Sequence, residues 1–162
     1  MIELQNLDKI KQQDYIPPIK KYFERVYSYF TDNFLGLLLY GSVGRGTAKP
    51  FSSWENDIDL LVIIEGLVDF RERGKQKVPI EHSVKFGIEA VWITPKELEG
   101  YILSKTGFIM DALYEGVILY EKDNFLTKKR DELIEWLTRR GVKKKDIGWV
   151  FPIKAGEKFD YR

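Results

Sequence analysis

The sequence predicts an α/β (α+β) fold in which a mixed β-sheet has helices packed against it, and three observations carry that prediction. Short apolar runs at residues 35–40, 58–64 and 86–93 have the length and the aliphatic, β-branched content of strands. Between and around them lie amphipathic or charged stretches of helical length. No repeat, low-complexity tract or linker divides the 162 residues, a length that suits one ordinary globular core.

The elements follow in order. Pro17 and Pro18 interrupt any earlier helix but can open a new one. From Ile19 onward, Tyr22, Phe23, Val26, Tyr27 and Phe30 recur at three- and four-residue steps, placing a core-facing aromatic stripe on a helix that ends near Asn33. Residues 35–40 form a continuous apolar run, as in a strand buried on both faces, and it leads straight into Gly41. Residues 58–64 read as a second buried strand, 67–77 as a charged helix or loop, and 86–93 as a third strand with Glu89 in its middle. Thr94-Pro95-Lys96-Glu97 combines an N-cap threonine, a proline at the first helical position and a glutamate at the third, so a helix begins there. Residues 117–120 can form a fourth strand. Asp123 or Asn124 then caps a helix bearing Leu126, Leu133, Ile134 and Leu137, which stops at Gly141. On this reading residues 1–122 are the main domain, and 123–162 are a C-terminal helix and basic tail packed on it.

Composition removes several chemistries. The chain has no cysteine, which excludes disulfides, thiolate zinc sites and a cysteine nucleophile. Its one histidine, His82, has no partner at metal-ligand or triad spacing and is assigned to the surface. No apolar run approaches a membrane span, so no membrane association and a cytoplasmic location are expected. Net charge is +1 but unevenly spread: residues 128–162 hold 11 Lys and Arg against 6 Asp and Glu, leaving 15 against 19 in the rest of the chain.

Chemistry concentrates in two segments. Gly41-Ser42-Val43-Gly44-Arg45-Gly46 lies where an apolar strand ends, a place where bare backbone N–H groups can face a phosphate. Ser42 adds a hydroxyl donor, and Arg45 adds a planar fork suited to phosphate oxygens. Standing alone, such a turn is more often only a turn. In the second segment, Asp57 and Asp59 are two residues apart at the start of a strand, so both side chains point to one face roughly 6–7 Å apart at the backbone. Like charges so placed are unfavourable unless a cation neutralises them, and Mg²⁺ takes hard carboxylate and phosphate oxygens. The bland alternative is a pair of solvated turn-forming aspartates. Fourteen residues separate Ser42 from Asp57.

Residues 37–64, with Gly41-Ser42, Arg45-Gly46 and Asp57-Ile58-Asp59, resemble the minimal nucleotidyltransferases of the DNA polymerase beta superfamily. The resemblance implies the nucleotidyltransferase fold. It further implies nucleotide binding through Gly41, Ser42 and Arg45, and catalytic, metal-binding carboxylates at Asp57, Asp59 and Glu89 of Gly87-Ile88-Glu89-Ala90-Val91. Two Mg²⁺ ions, with Mn²⁺ as a possible substitute, would serve transfer of a nucleoside monophosphate from a nucleoside triphosphate, ATP foremost, to a hydroxyl. The resemblance runs over residues 19–120. It departs from the family at Gly44, where alanine is usual, at Glu89, where aspartate is often found, and in the long loop over residues 47–56.

Standalone members of that family resemble antitoxins whose partner is a HEPN (higher eukaryote and prokaryote nucleotide-binding) toxin, and such a partner protein is one acceptor the resemblance implies. The competing readings are a catalytically silent nucleotide- or RNA-binding regulatory module of the same fold, and a purely structural interaction domain. Two further features are weighed against plain packing. The tail interleaves Lys143, Lys144, Lys145, Lys154 and Lys158 with Trp149, Phe151, Phe159 and Tyr161, which suits RNA contact, although aromatics packed on the domain are favoured. Trp54 could stack on a nucleotide base, but local packing is favoured there too.

Overall fold

A computed structural model describes residues 2–50, 57–84, 87–146, 148–153 and 155–162. Its centre is a four-stranded sheet of β1 (Phe34–Tyr40), β2 (Ile58–Ile64), β3 (Ile88–Ile93) and β4 (Val117–Glu121), ordered β3-β2-β1-β4. β1 runs antiparallel to both β2 and β4, whereas β2 and β3 are parallel, so the sheet is mixed. Successive side chains on a strand point to opposite faces, and the apolar runs therefore feed two cores. Leu37 and Leu39 of β1 and Ile58, Leu60, Val62 and Ile64 of β2 pack on one face beneath α1 (Ile16–Phe30). Leu38, Leu61 and Ile63 pack on the other, beneath α4 (Pro95–Leu103), α5 (Gly107–Glu115) and α6 (Phe125–Arg140).

Pro17 and Pro18 occupy the first turn of α1, where an absent N–H costs nothing, and Ile19, Tyr22, Phe23 and Val26 are its buried stripe. The charged stretch after β2 is a helix, α3 (Phe70–His82), that lies against β3. His82 is exposed at its end. The capping box at Thr94 is present with both hydrogen bonds.

Two expectations need revision. α5 has no counterpart in the sequence reading, although Ile109, Met110 and Leu113 recur at helical spacing and are buried. Asn124 does precede α6, but in a left-handed conformation without a side-chain cap. Glu121 supplies the cap instead, accepting from the Thr127 amide at 2.8 Å and from its hydroxyl at 2.5 Å. Ile134 of that helix is 38% exposed, so the core stripe runs through Leu126, Leu133, Trp136 and Leu137.

After Gly141 the tail forms a hairpin of β5 (Lys143–Lys145) and β6 (Gly148–Val150). Trp149, Phe151 and Phe159 pack against the core beneath α5 and α6. Among the described residues no helix is long and apolar enough to cross a membrane.

Candidate active site

The register of the sheet builds the site. Tyr40 at the end of β1 pairs with Asp59 on β2, and Asp59 pairs with Glu89 on β3. All three lie on the face that packs α4, α5 and α6, since Leu61 and Ile63 of the same strand parity belong to that core. Asp57 shares the parity of Asp59 and stands exposed just before β2. The Ile58 amide donates to the Gly87 carbonyl at 2.7 Å, which holds the entries of β2 and β3 together.

Immediately after Tyr40, the glycine-rich segment is not an open turn but a short helix, α2 (Gly41–Arg45). The first amides of a helix have no partner inside it, so the N–H groups at Gly41 and Ser42 begin α2 where the acid row lies. Gly41 has φ +67°, and a Cβ there would stand 2.0 Å from Asp59 Oδ2. The Asp59 carboxylate thus fills the space that any other residue at position 41 would claim. The chain then folds back: the Gly46 amide donates to the Val43 carbonyl at 3.2 Å, and the Thr47 amide to the Ser42 carbonyl at 2.8 Å. Arg45 reaches Glu115 of α5 at 3.7 Å, with its own side chain half exposed.

Electrostatics follow this arrangement. Asp59 is pushed up to about 6 by burial, by the neighbouring charges of Glu89 and Asp57, and against the opposing pull of Arg45. Tyr40 is raised to about 12 by burial and by the charges of Asp59 and Glu89. Tyr40 is a site residue that sequence reasoning missed; it was counted only as the last residue of an apolar strand, and its place beside the acids depends on cross-strand register.

The sequence-derived residues are therefore gathered: Gly41 touches Asp59, Glu89 and Asp57 flank it, and Ser42 and Arg45 sit on the adjoining turn. Three hard oxygen donors, two of which raise the proton affinity of the third, Asp59, are a donor set whose repulsion a divalent ion would relieve. As the side chains stand, however, among the described residues no group of three or more His, Asp or Glu is arranged to hold a metal ion. Trp54 lies outside the described residues.

The chain matches the Nucleotidyltransferase domain family over residues 19–158. It is 30% identical over 112 residues to a provisionally named protein adenylyltransferase of Methanocaldococcus jannaschii, a match covering 66% of this chain and 72% of that protein. Among solved structures it is similar at 14% identity and TM-score 0.46 to a toxin-antitoxin crystallised with AMP-PNP, over 74% of this chain and 90% of that one. It is also similar to a tri-AMPylated HEPN toxin in complex with MNT antitoxin from Shewanella oneidensis, at 12% identity and TM-score 0.45, over 76% and 92% of the two chains. The family match encloses the Gly41 turn, the three acids and the strands that bring them together, and this chain belongs to the nucleotidyltransferase domain family.

Proposed function

We propose that this nucleotidyltransferase moves the adenylyl group of ATP to a hydroxyl on a protein, in a reaction dependent on Mg²⁺. The observation that carries the proposal is the Asp59 carboxylate seated against Gly41, with Glu89 beside it and the first amides of α2 adjacent. A protein acceptor is supported by the name of the Methanocaldococcus jannaschii relative, and a HEPN-type partner is the class that the resemblance implies. In such a pair this chain would act as the antitoxin.

The roles divide by position. Gly41 and Ser42 would bind phosphate oxygens through backbone N–H groups and the Ser42 hydroxyl, and Arg45 would add a charged donor at the end of the turn. Asp57, Asp59 and Glu89 would hold the divalent ions, which supply charge neutralisation for the triphosphate and for the attacking oxygen. The acceptor oxygen forms its bond to the α-phosphorus as the bond to the bridging oxygen breaks. Pyrophosphate leaves, and the hydroxyl proton is lost to solvent. Tyr40, held neutral beside Asp59 and Glu89, would fix the carboxylate row without adding to its charge.

The test is incubation with α-labelled ATP, GTP, CTP and UTP, with Mg²⁺ or Mn²⁺, and with the product of a neighbouring reading frame as acceptor. Label should pass from ATP to the partner protein, and Asp59→Asn should lower transfer by at least 10³-fold, on the order of the loss of a metal-held charge site, while circular dichroism stays unchanged. Transfer at the wild-type rate by Asp59→Asn would refute the assignment. Nucleotide binding without transfer would make the chain a regulatory module.

A further inference from the structure

The Gly41 turn and the acid row have a direction. α2 follows β1, the aspartates open β2, and Glu89 stands exposed near the start of β3, so the turn and the third acid lie at opposite ends of a row across three adjacent strands. With neighbouring strands about 4.8 Å apart, that row spans roughly 10 Å. Phosphoryl transfer proceeds in line, with the attacking and leaving oxygens on opposite sides of the α-phosphorus. If pyrophosphate leaves on the side of Gly41 and Ser42, the acceptor oxygen arrives from the side of β3.

A groove of about 560 Å³ lies on that side, between β3 and α3. Val91, two residues along the strand from Glu89 and on the same face, is half-buried and lines it. Phe70 and Arg71, in the first turn of α3, form the opposite wall, and Phe70 is 69% exposed. One turn on, Gly74 keeps the groove open, since a Cβ there would meet nothing within 4 Å. Arg73 and Lys77 form the inner wall, but their charges are committed to Glu97 at 2.9 Å and Glu81 at 3.5 Å, and both donate to β3 carbonyls. Arg71 is exposed and has no ion pair among the described residues. The groove therefore offers an apolar wall and one free positive charge. One cation is too few to follow a nucleic-acid backbone, whereas an aromatic ring beside an arginine suits an anchor of a protein partner.

We propose that the groove between α3 and β3 docks the acceptor protein, taking a segment that sets an apolar side chain against Phe70 and Val91 and a carboxylate on Arg71, with its hydroxyl presented at Glu89. This rests on the reading of the chain as a protein adenylyltransferase with its phosphate site at Gly41 and Ser42. Phe70 and Arg71 are then specificity-determining residues for the acceptor and have no part in holding ATP.

Transfer from α-labelled ATP in MgCl₂ to the product of the neighbouring reading frame, followed against acceptor concentration, tests this in wild type, Phe70→Ala, Arg71→Glu and Arg71→Lys. Phe70→Ala and Arg71→Glu should each raise the acceptor KM about tenfold, as for one interface anchor, while kcat, calorimetric ATP affinity and melting temperature stay unchanged. Arg71→Lys, which keeps the charge, should remain within about twofold of wild type. A wild-type KM in both Phe70→Ala and Arg71→Glu would overturn the groove and leave the transferase reading standing. A raised KM accompanied by weaker ATP binding or a lowered melting temperature would also overturn it, by showing that these residues only support the fold. Label passing only to a single-stranded RNA oligonucleotide supplied beside the protein would overturn the protein occupant. A wild-type chain that labels neither would overturn the groove and the transferase reading together.

Discussion

Asp59 is held at a thermodynamic disadvantage in the metal-free protein. Its carboxyl is pushed up to about 6 by burial and by Glu89 and Asp57, against about 4 in an unfolded chain. Between those values the folded state binds more protons than the unfolded one, so stability falls as pH rises from about 4 through 6 and the loss is complete above that. A neutral isostere avoids the loss. Asp59→Asn in chelator-treated protein should therefore be more stable than wild type at pH 8, by about 1 kcal/mol once solvent screening of a half-buried group is allowed for, with the difference gone near pH 4. Urea midpoints at the two pH values check this, and a variant less stable at pH 8 would mean that Asp59 already has its compensating charge inside the protein. Much of this residue set was legible without coordinates, because a glycine turn closing an apolar strand and alternating acids opening the next are local patterns. Tyr40 was not, because its place depends on which residue of β1 faces Asp59.

At the scale of elements, the strand that carries Glu89 is an edge, and α3 seals it. Arg73 donates to the Trp92 carbonyl at 3.2 Å and to the Val68 carbonyl at 2.9 Å, and its fork meets Glu97 at 2.9 Å and 3.0 Å. Lys77 donates to the Ala90 carbonyl at 2.7 Å and pairs with Glu81 at 3.5 Å. The outward carbonyls of Ala90 and Trp92 are thus satisfied by charged side chains, which blunts this edge as a template for strand addition beside the site. Arg73 is 8% exposed, so its truncation strands carbonyls and a carboxylate in a closed space. Arg73→Ala should cost about 3 kcal/mol, and Arg73→Lys, which cannot form the fork, should recover less than half of it by chemical denaturation. A cost below about 0.5 kcal/mol would show the clamp to be dispensable. Residues 67–77 read only as a charged helix or loop because the apolar complement of α3 is sparse; its fixation comes from ion pairs and from hydrogen bonds to a strand distant in sequence. The capping box of α4 was legible for the opposite reason, since all of its donors and acceptors lie within four residues.

Over the whole molecule, one sheet is covered on both faces and closed at both edges. The N-terminal segment shields the β4 side, with the Gln5 amide donating to the Leu119 carbonyl and the Asn6 side chain to the Ile118 carbonyl, each at 2.8 Å. The C-terminal residues close the other layer rather than forming a separate arm. Asp111 of α5 accepts from the Trp149 indole at 2.9 Å and pairs with Lys144, whose ammonium lies 5.2 Å from the centre of the Trp149 ring. Phe151 and Phe159 stack edge to face at a centroid separation of 4.9 Å against the same core. Interleaved lysines and aromatics in the sequence fit a stacking platform and a packed hairpin equally well, because periodicity cannot say which faces are already engaged. Trp149, Phe151 and Phe159 are each partly buried in this packing, which leaves only part of each ring for stacking on a base. Asp111→Ala should release the hairpin, so that trypsin cuts at Lys143–Lys145 at least tenfold faster, as expected when about 1.4 kcal/mol of local protection is lost, while the helices of the domain stay intact by circular dichroism. The same variant should also be the one that gains affinity for single-stranded RNA in an electrophoretic shift at 150 mM salt. RNA binding by the wild type at that salt, abolished by Trp149→Ala with the fold preserved, would instead return the tail to the role of a nucleic-acid platform.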